Sequence, residues 1–148
     1  MKSKKIYFLF FALMLAVLSG CAAGPGATKA ADESAIRTRA VERWDMLIAH
    51  KADKAWDYLS PGFRETKARE VYALEMNSRG MRWTKATFES QTCDGDTCKV
   101  HLLIAYNVDL GGPVGRVSSL SPVEESWIKV KGQWYFLPEQ LQPGKLGE

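Results

Sequence analysis

Glu125-Ser126-Trp127-Ile128-Lys129-Val130-Lys131-Gly132-Gln133-Trp134-Tyr135-Phe136 is the stretch that decides the fold. Two segments rich in β-branched and aromatic residues flank Lys131-Gly132, a pair suited to a two-residue hairpin turn. That turn sets Val130 opposite Gln133, Ile128 opposite Tyr135 and Ser126 opposite Leu137. It leaves Trp127, Trp134 and Phe136 on the other side. Both faces of the hairpin are therefore substantially apolar. A sheet needs one apolar face to carry a helical layer. The second face needs another cover: a partner subunit or a ligand, or the long loop or chain tail lying over Trp127 and Phe136.

Working backwards, Val123 to Val130 and Gln133 to Leu137 are the last two strands. Asp109 to Pro122 is rich in Gly and Ser and reads as a long loop. Lys99 to Val108 alternates, with Val100, Leu102, Ile104, Tyr106 and Val108 on one side. Trp83 to Cys93 precedes it across the turn Asp94-Gly95-Asp96-Thr97. The helices come first. Ile36, Ala40, Trp44, Leu47 and Ile48 mark one face of a helix capped by Asp32 or Ser34. Arg37, Arg39, Glu42, Arg43 and Asp45 fall on its solvated face. Asp53 caps a short second helix carrying Trp56 and Leu59, ended by Ser60-Pro61-Gly62. A third helix fits Thr66 to Asn77, with Ala68, Val71, Tyr72 and Met76 inward, closed at Gly80.

This order of three helices and four antiparallel strands carries the pattern Trp44…Ala55-Trp56-Asp57-Tyr58-Leu59-Ser60-Pro61 and the closing stretch quoted above. Over Ser34–Leu137 it resembles the nuclear-transport-factor-2-like superfamily. The resemblance implies an α+β cone, with N-terminal helices packed on a curved antiparallel sheet of about four strands and a pocket at the open end. The superfamily holds isomerases, dehydratases and many small binding lipoproteins, so the fold assigns no function by itself.

The N-terminus carries a second resemblance. Lys2, Lys4 and Lys5 precede an uncharged apolar run from Ile6 to Leu18. That run is short of the ~20 residues a spanning helix needs and matches a secretory signal peptide. Leu18-Ser19-Gly20-Cys21 follows and resembles the lipobox of bacterial lipoproteins. The resemblance implies that residues 1–20 are cleaved and that Cys21 carries acyl chains such as palmitate. It also implies an encounter with the lipoprotein-processing and sorting machinery. Ala22, where an Asp tends to retain such proteins in the inner membrane, favours the outer membrane facing the periplasm. Residues 21–31, small and Gly/Pro-containing, read as a lipidated flexible tether. Residues 32–138 read as a single domain, and 139–148 as a loose tail.

Of 148 residues, 20 are Lys or Arg and 17 are Asp or Glu. Three of the basic residues lie in the signal, so the mature chain carries 17 of each sign. It lacks the broad positive field of a nucleic-acid binder. With Cys21 acylated, Cys93 and Cys98 remain, an even pair in an exported chain, and are expected to form a disulfide. A metal held by Cys93, Asp94, Asp96 and Cys98 is the rival, without paired CxxC spacing or an adjacent His; a redox pair is a rarer one. No phosphate loop, nucleophile elbow or dinucleotide fingerprint is present. His50 and His101 read as solvent-facing or interface histidines.

Family members of isomerase type use a pocket Tyr and carboxylic acids. Trp44, Tyr58, Tyr106 and Glu125 are the candidate pocket residues here, with Asp57 a further acid, and none matches a catalytic motif. The expectation is thus a membrane-anchored envelope lipoprotein, non-catalytic, binding an apolar ligand or a partner protein, with a second copy of itself among the candidate partners. The alternative is a pocket enzyme of isomerase or dehydratase type on a small hydrophobic substrate. No cofactor and no metal is expected.

Overall fold

A computed structural model of the chain describes residues 25–139. The expected signal peptide, Cys21 and the tail from Gln140 lie outside the described residues. The residues from Ala31 onward form one compact unit, separate from those up to Ala30. Helix α1 spans Pro25–Ile48, followed by α2 (Ala52–Ala55), a 3-10 turn (Trp56–Tyr58), α3 (Pro61–Thr66) and α4 (Arg69–Asn77). Strands β1 (Met81–Asp94), β2 (Thr97–Asp109), β3 (Arg116–Val130) and β4 (Gln133–Leu137) form one antiparallel sheet in the order β1-β2-β3-β4. The class is α+β, with helices packed against an open four-stranded sheet.

The last hairpin has the register its turn demands: Val130 pairs with Gln133, Ile128 with Tyr135 and Ser126 with Leu137. Lys131 and Gly132 both take positive φ, 51° and 81°, the backbone that a twist-matched two-residue turn requires. The face carrying Trp127 and Trp134 is the core face, buried against the helices, so neither the loop nor the tail is needed to cover it. The face left over is the one bearing Ile128, Val130 and Leu137.

Ile36, Ala40, Trp44 and Leu47 of α1 meet Val100, Leu102 and Ile104 of β2 in one buried cluster. Burial of these side chains supplies most of the stabilisation, on the order of 1.5–3 kcal/mol for each large one. Two bulges, between Trp83 and Lys85 and between Phe88 and Ser90, shift the pairing of β1 with β2. They keep Trp83, Ala86, Phe88, Gln91 and Cys93 opposite the inward residues of β2 and add twist and curvature to the sheet.

Five expectations are corrected. Helix α1 spans Pro25–Ile48, so residues 25–31 are helical rather than tether. Ala27, Ala30 and Ala31 are strong helix formers. Asp32 is thereby inside the helix and pairs with Lys129 Nζ at 2.7 Å instead of capping. The stretch 109–122 is not a long loop: β3 starts at Arg116, and its pairing with β2 runs unbroken to Asp109 opposite Arg116. Pro122 is tolerated there because β4 reaches only to Ser126, leaving that half of β3 an edge. The expected third helix is two. Ser60 accepts a hydrogen bond from the Phe63 amide and Pro61 opens α3, while Lys67 and Ala68 are extended and split α3 from α4. Tyr72 points inward as expected, but Val71 is 49% exposed and Ala68 also faces solvent.

Cys93 and Cys98 are cross-strand partners with Cα atoms 4.1 Å apart and form a disulfide. Changing both to Ser should cost about 2 kcal/mol in a urea melt, the chain-entropy value for so short a loop. Far-UV circular dichroism should be unchanged, since the β1–β2 ladder holds the hairpin independently. A loss of secondary structure would show that the bridge carries the fold.

Candidate functional site

Glu125 is the centre of the buried polar chemistry. Register with Val100 turns it to the helical side of β3, where it is 3% exposed. Its Oε1 accepts from Arg43 Nη1 at 2.6 Å and from Trp44 Nε1 at 2.9 Å. Its Oε2 accepts from Trp127 Nε1 at 3.0 Å. Arg43 is 5% exposed, against its expected solvated position, and its guanidinium lies 3.9 Å over the Phe136 ring. Ile36, Ala40, Arg43 and Leu47 step by four, three and four, the narrow seam of a packed helix. Arg43 thus enters the core with its counter-ion supplied from the sheet.

Both carboxylate oxygens are occupied. Proton transfer requires the acid within hydrogen-bond reach of a reacting atom. Glu125 lines none of the four clefts described below. The cage ties α1 to β3 across the core. Its cost is large, because burying two charges is repaid only by close pairing and further hydrogen bonds.

The four candidate pocket residues do not converge. Trp44 and Glu125 meet directly. Trp44 also meets Trp83 edge-on at 5.4 Å, and Trp83 is the cross-strand partner of half-buried Tyr106. Tyr58 is elsewhere: its hydroxyl donates to Glu42 Oε2 at 3.2 Å and Arg39 stacks 4.7 Å over its ring. Desolvation, then the charge of Glu42, raises the Tyr58 phenol pKa, which keeps it protonated. Asp57 accepts from both Arg69 guanidinium nitrogens, at 2.7 and 3.1 Å. That hydrogen bonding holds its carboxyl below the usual range, the wrong direction for a base near neutrality. Tyr58 and Asp57 share an open surface cleft of about 500 Å³ with Arg39 and Asp53, its lining polar and apolar in nearly equal measure.

His50 ends α1 with φ 56°, a left-handed helix stop. His101 is on the outer face of β2, 3.9 Å from Glu124. Among the described residues no group of three or more His, Cys, Asp or Glu is placed to hold a metal ion. No described helix is long and apolar enough to cross a membrane.

The other feature is the outer face of the β3–β4 hairpin. A cleft of about 390 Å³ lies over Thr97, Lys99, Ser126, Ile128 and Leu137. A second, of about 480 Å³, lies over Pro61, Phe63, Ile128, Val130, Leu137 and Pro138. They share Ile128 and Leu137 and so adjoin.

No protein-family profile and no curated protein matches the chain. Several solved structures are similar in fold. A protein of unknown function from Mycobacterium tuberculosis is 14% identical at TM-score 0.55, covering 78% of this chain and 73% of its own. A SEC-C motif containing protein from Rhodopseudomonas palustris is 17% identical at TM-score 0.51, covering 65% of this chain and 70% of its own. An NTF2-like transpeptidase from Campylobacter jejuni is 17% identical at TM-score 0.41, covering 68% and 94%. At these identities the first two establish a shared α+β fold and nothing of activity.

Proposed function

We propose that this chain is a lipid-anchored envelope protein of the nuclear-transport-factor-2-like type whose folded domain works by association rather than catalysis. The anchor reading rests on the charged start, the apolar run and Leu18-Ser19-Gly20-Cys21. The absence of Asp at position 22 favours the outer membrane, facing the periplasm. The non-catalytic reading rests on one observation: the buried acid, Glu125, has both oxygens held by Arg43, Trp44 and Trp127. The isomerase-type alternative needs a free acid on a cavity beside Tyr58 or Tyr106; Asp57 shares the open cleft with Tyr58, but both its oxygens accept from Arg69 and its carboxyl is held below the usual range.

The associating surface is the outer face of the β3–β4 hairpin, where Ile128, Val130 and Leu137 line adjoining clefts. The partner is a second copy of the chain. A mature chain of balanced charge offers no long-range repulsion to self-pairing. The unit from Ala31 contains the whole buried cluster and is the right material for the test. Light scattering at tens of micromolar should give a dimer mass. Ile128→Lys with Leu137→Lys should give a monomer with an unchanged circular dichroism spectrum. A monomeric parent overturns self-pairing, and a dimer that survives both substitutions moves the interface elsewhere.

A further inference from the structure

At the other end of the outer face, roughly 40 Å along β2 from Thr97, a smaller cleft of about 280 Å³ gathers three arginines. Arg82 is the cross-strand partner of Asn107, and Arg116 that of Asp109, so these four side chains share the outer face. Arg79 joins them from the turn before β1. None of the ion pairs among the described residues engages Arg79, Arg82 or Arg116. The one acid in the cleft, Asp109, accepts from the Gly111 amide at 3.2 Å, which holds it in the β2–β3 turn. Ser118 donates its hydroxyl to Asn107 Oδ1 at 2.8 Å, which leaves the amide nitrogen of Asn107 as a donor into the cleft. Gly80 also lines the cleft, and a Cβ there would meet nothing within 4 Å.

We infer that this cleft binds a phosphomonoester. Three guanidiniums against one carboxylate leave a local charge of +2 on a chain that is otherwise balanced. A phosphomonoester carries −1.5 to −2 near neutrality and three acceptor oxygens, which matches that excess. Guanidinium forks and a side-chain amide are the donors that planar, multidentate recognition of phosphate uses. A carboxylate, with one charge and two oxygens, is satisfied by a single arginine and leaves the other two unmatched. Glu124 and Lys99 pair with each other farther along the same face and do not enter the cleft.

The test is calorimetric titration of the full-length chain, in a non-ionic detergent, with glycerol phosphate. Saturable binding at one site is expected, at least tenfold tighter than acetate. Arg82→Gln and Arg116→Gln should each weaken it about tenfold or more, while Lys85→Gln, on the same face but outside the cleft, should not. Vesicles carrying phosphatidic acid, offered to the unit from Ala31 so that no acyl anchor contributes, present the same group from a lipid. Capture on these, competed by glycerol phosphate and lost in the two arginine variants, assigns the ligand to a membrane. Binding of glycerol phosphate without vesicle capture assigns it to a soluble ester. Affinity for glycerol phosphate that is unsaturable, equal to that for acetate, or unchanged in Arg82→Gln and Arg116→Gln overturns the inference.

Discussion

Glu125→Gln should cost the domain about 3–5 kcal/mol, the loss seen when one partner of a buried ion pair is removed. The volume is nearly unchanged, so the effect is electrostatic. Arg43 keeps its charge in a site 5% exposed, and the new amide nitrogen must face one of three donors: Arg43, Trp44 or Trp127. A melting temperature lower by on the order of 10–20 °C follows for a domain of this size. In urea the midpoint should fall with the slope unchanged, which separates lost stability from a changed denatured state. A loss below about 1 kcal/mol would place the pair among solvent-screened ones and contradict the burial.

A double-mutant cycle with Arg43→Met isolates the pair. Each single change strands the other group, whereas the double change leaves a neutral amide beside a flexible apolar side chain. The double variant should therefore be more stable than the sum of the two losses implies, by 0.5–3 kcal/mol in coupling. The same variants separate the two functional readings. An isomerase-type enzyme using Glu125 would lose turnover on a small carbonyl substrate in Glu125→Gln while keeping its stability, because a catalytic acid is held for access and not for packing. The geometry predicts the reverse.

Much of this cage was legible before any coordinates. Lys131-Gly132 dictates the hairpin register, and that register places Glu125 and Trp127 on one face and Ile128 and Val130 on the other. The seam Ile36, Ala40, Leu47 also contains position 43, and an arginine on a helix seam implies a buried acid across from it. The tempting error is to count charged residues onto the solvent face by type and not by phase. The first half of β3 was illegible for a different reason. Residues 116–122 show no alternation and contain a proline and three serines, and they are extended because β2 offers a free ladder, not by their own preference. The start of α3 was written in Ser60-Pro61, a cap and first turn that also look like a helix end. The arginine cleft had no local signal. Arg82 and Arg116 are brought together only by two long-range registers, one of which passes through bulges that period-two reading cannot see.

Cys21→Ser should abolish fatty-acid labelling altogether, an all-or-none effect. The proposed anchor forms when the thiol of Cys21 attacks a diacylglycerol donor, and the signal is then cut before the modified residue. Serine has nearly the same shape but is a far weaker nucleophile at neutral pH, because a hydroxyl ionises much less readily than a thiol. Without the thioether the processing step has no substrate, so the variant should accumulate with residues 1–20 attached. That mass difference is read directly from the intact protein. At about 0.8 kcal/mol per buried methylene, two or more acyl chains hold the wild type on the membrane through washes that release a singly acylated protein. Carbonate extraction should accordingly leave the wild type in the pellet. Label that persists in Cys21→Ser places the acyl group elsewhere, and a wild type that takes no label removes the anchor. Ala22→Asp then tests the sorting step alone: full labelling should remain, while density-gradient fractions shift from the outer to the inner membrane.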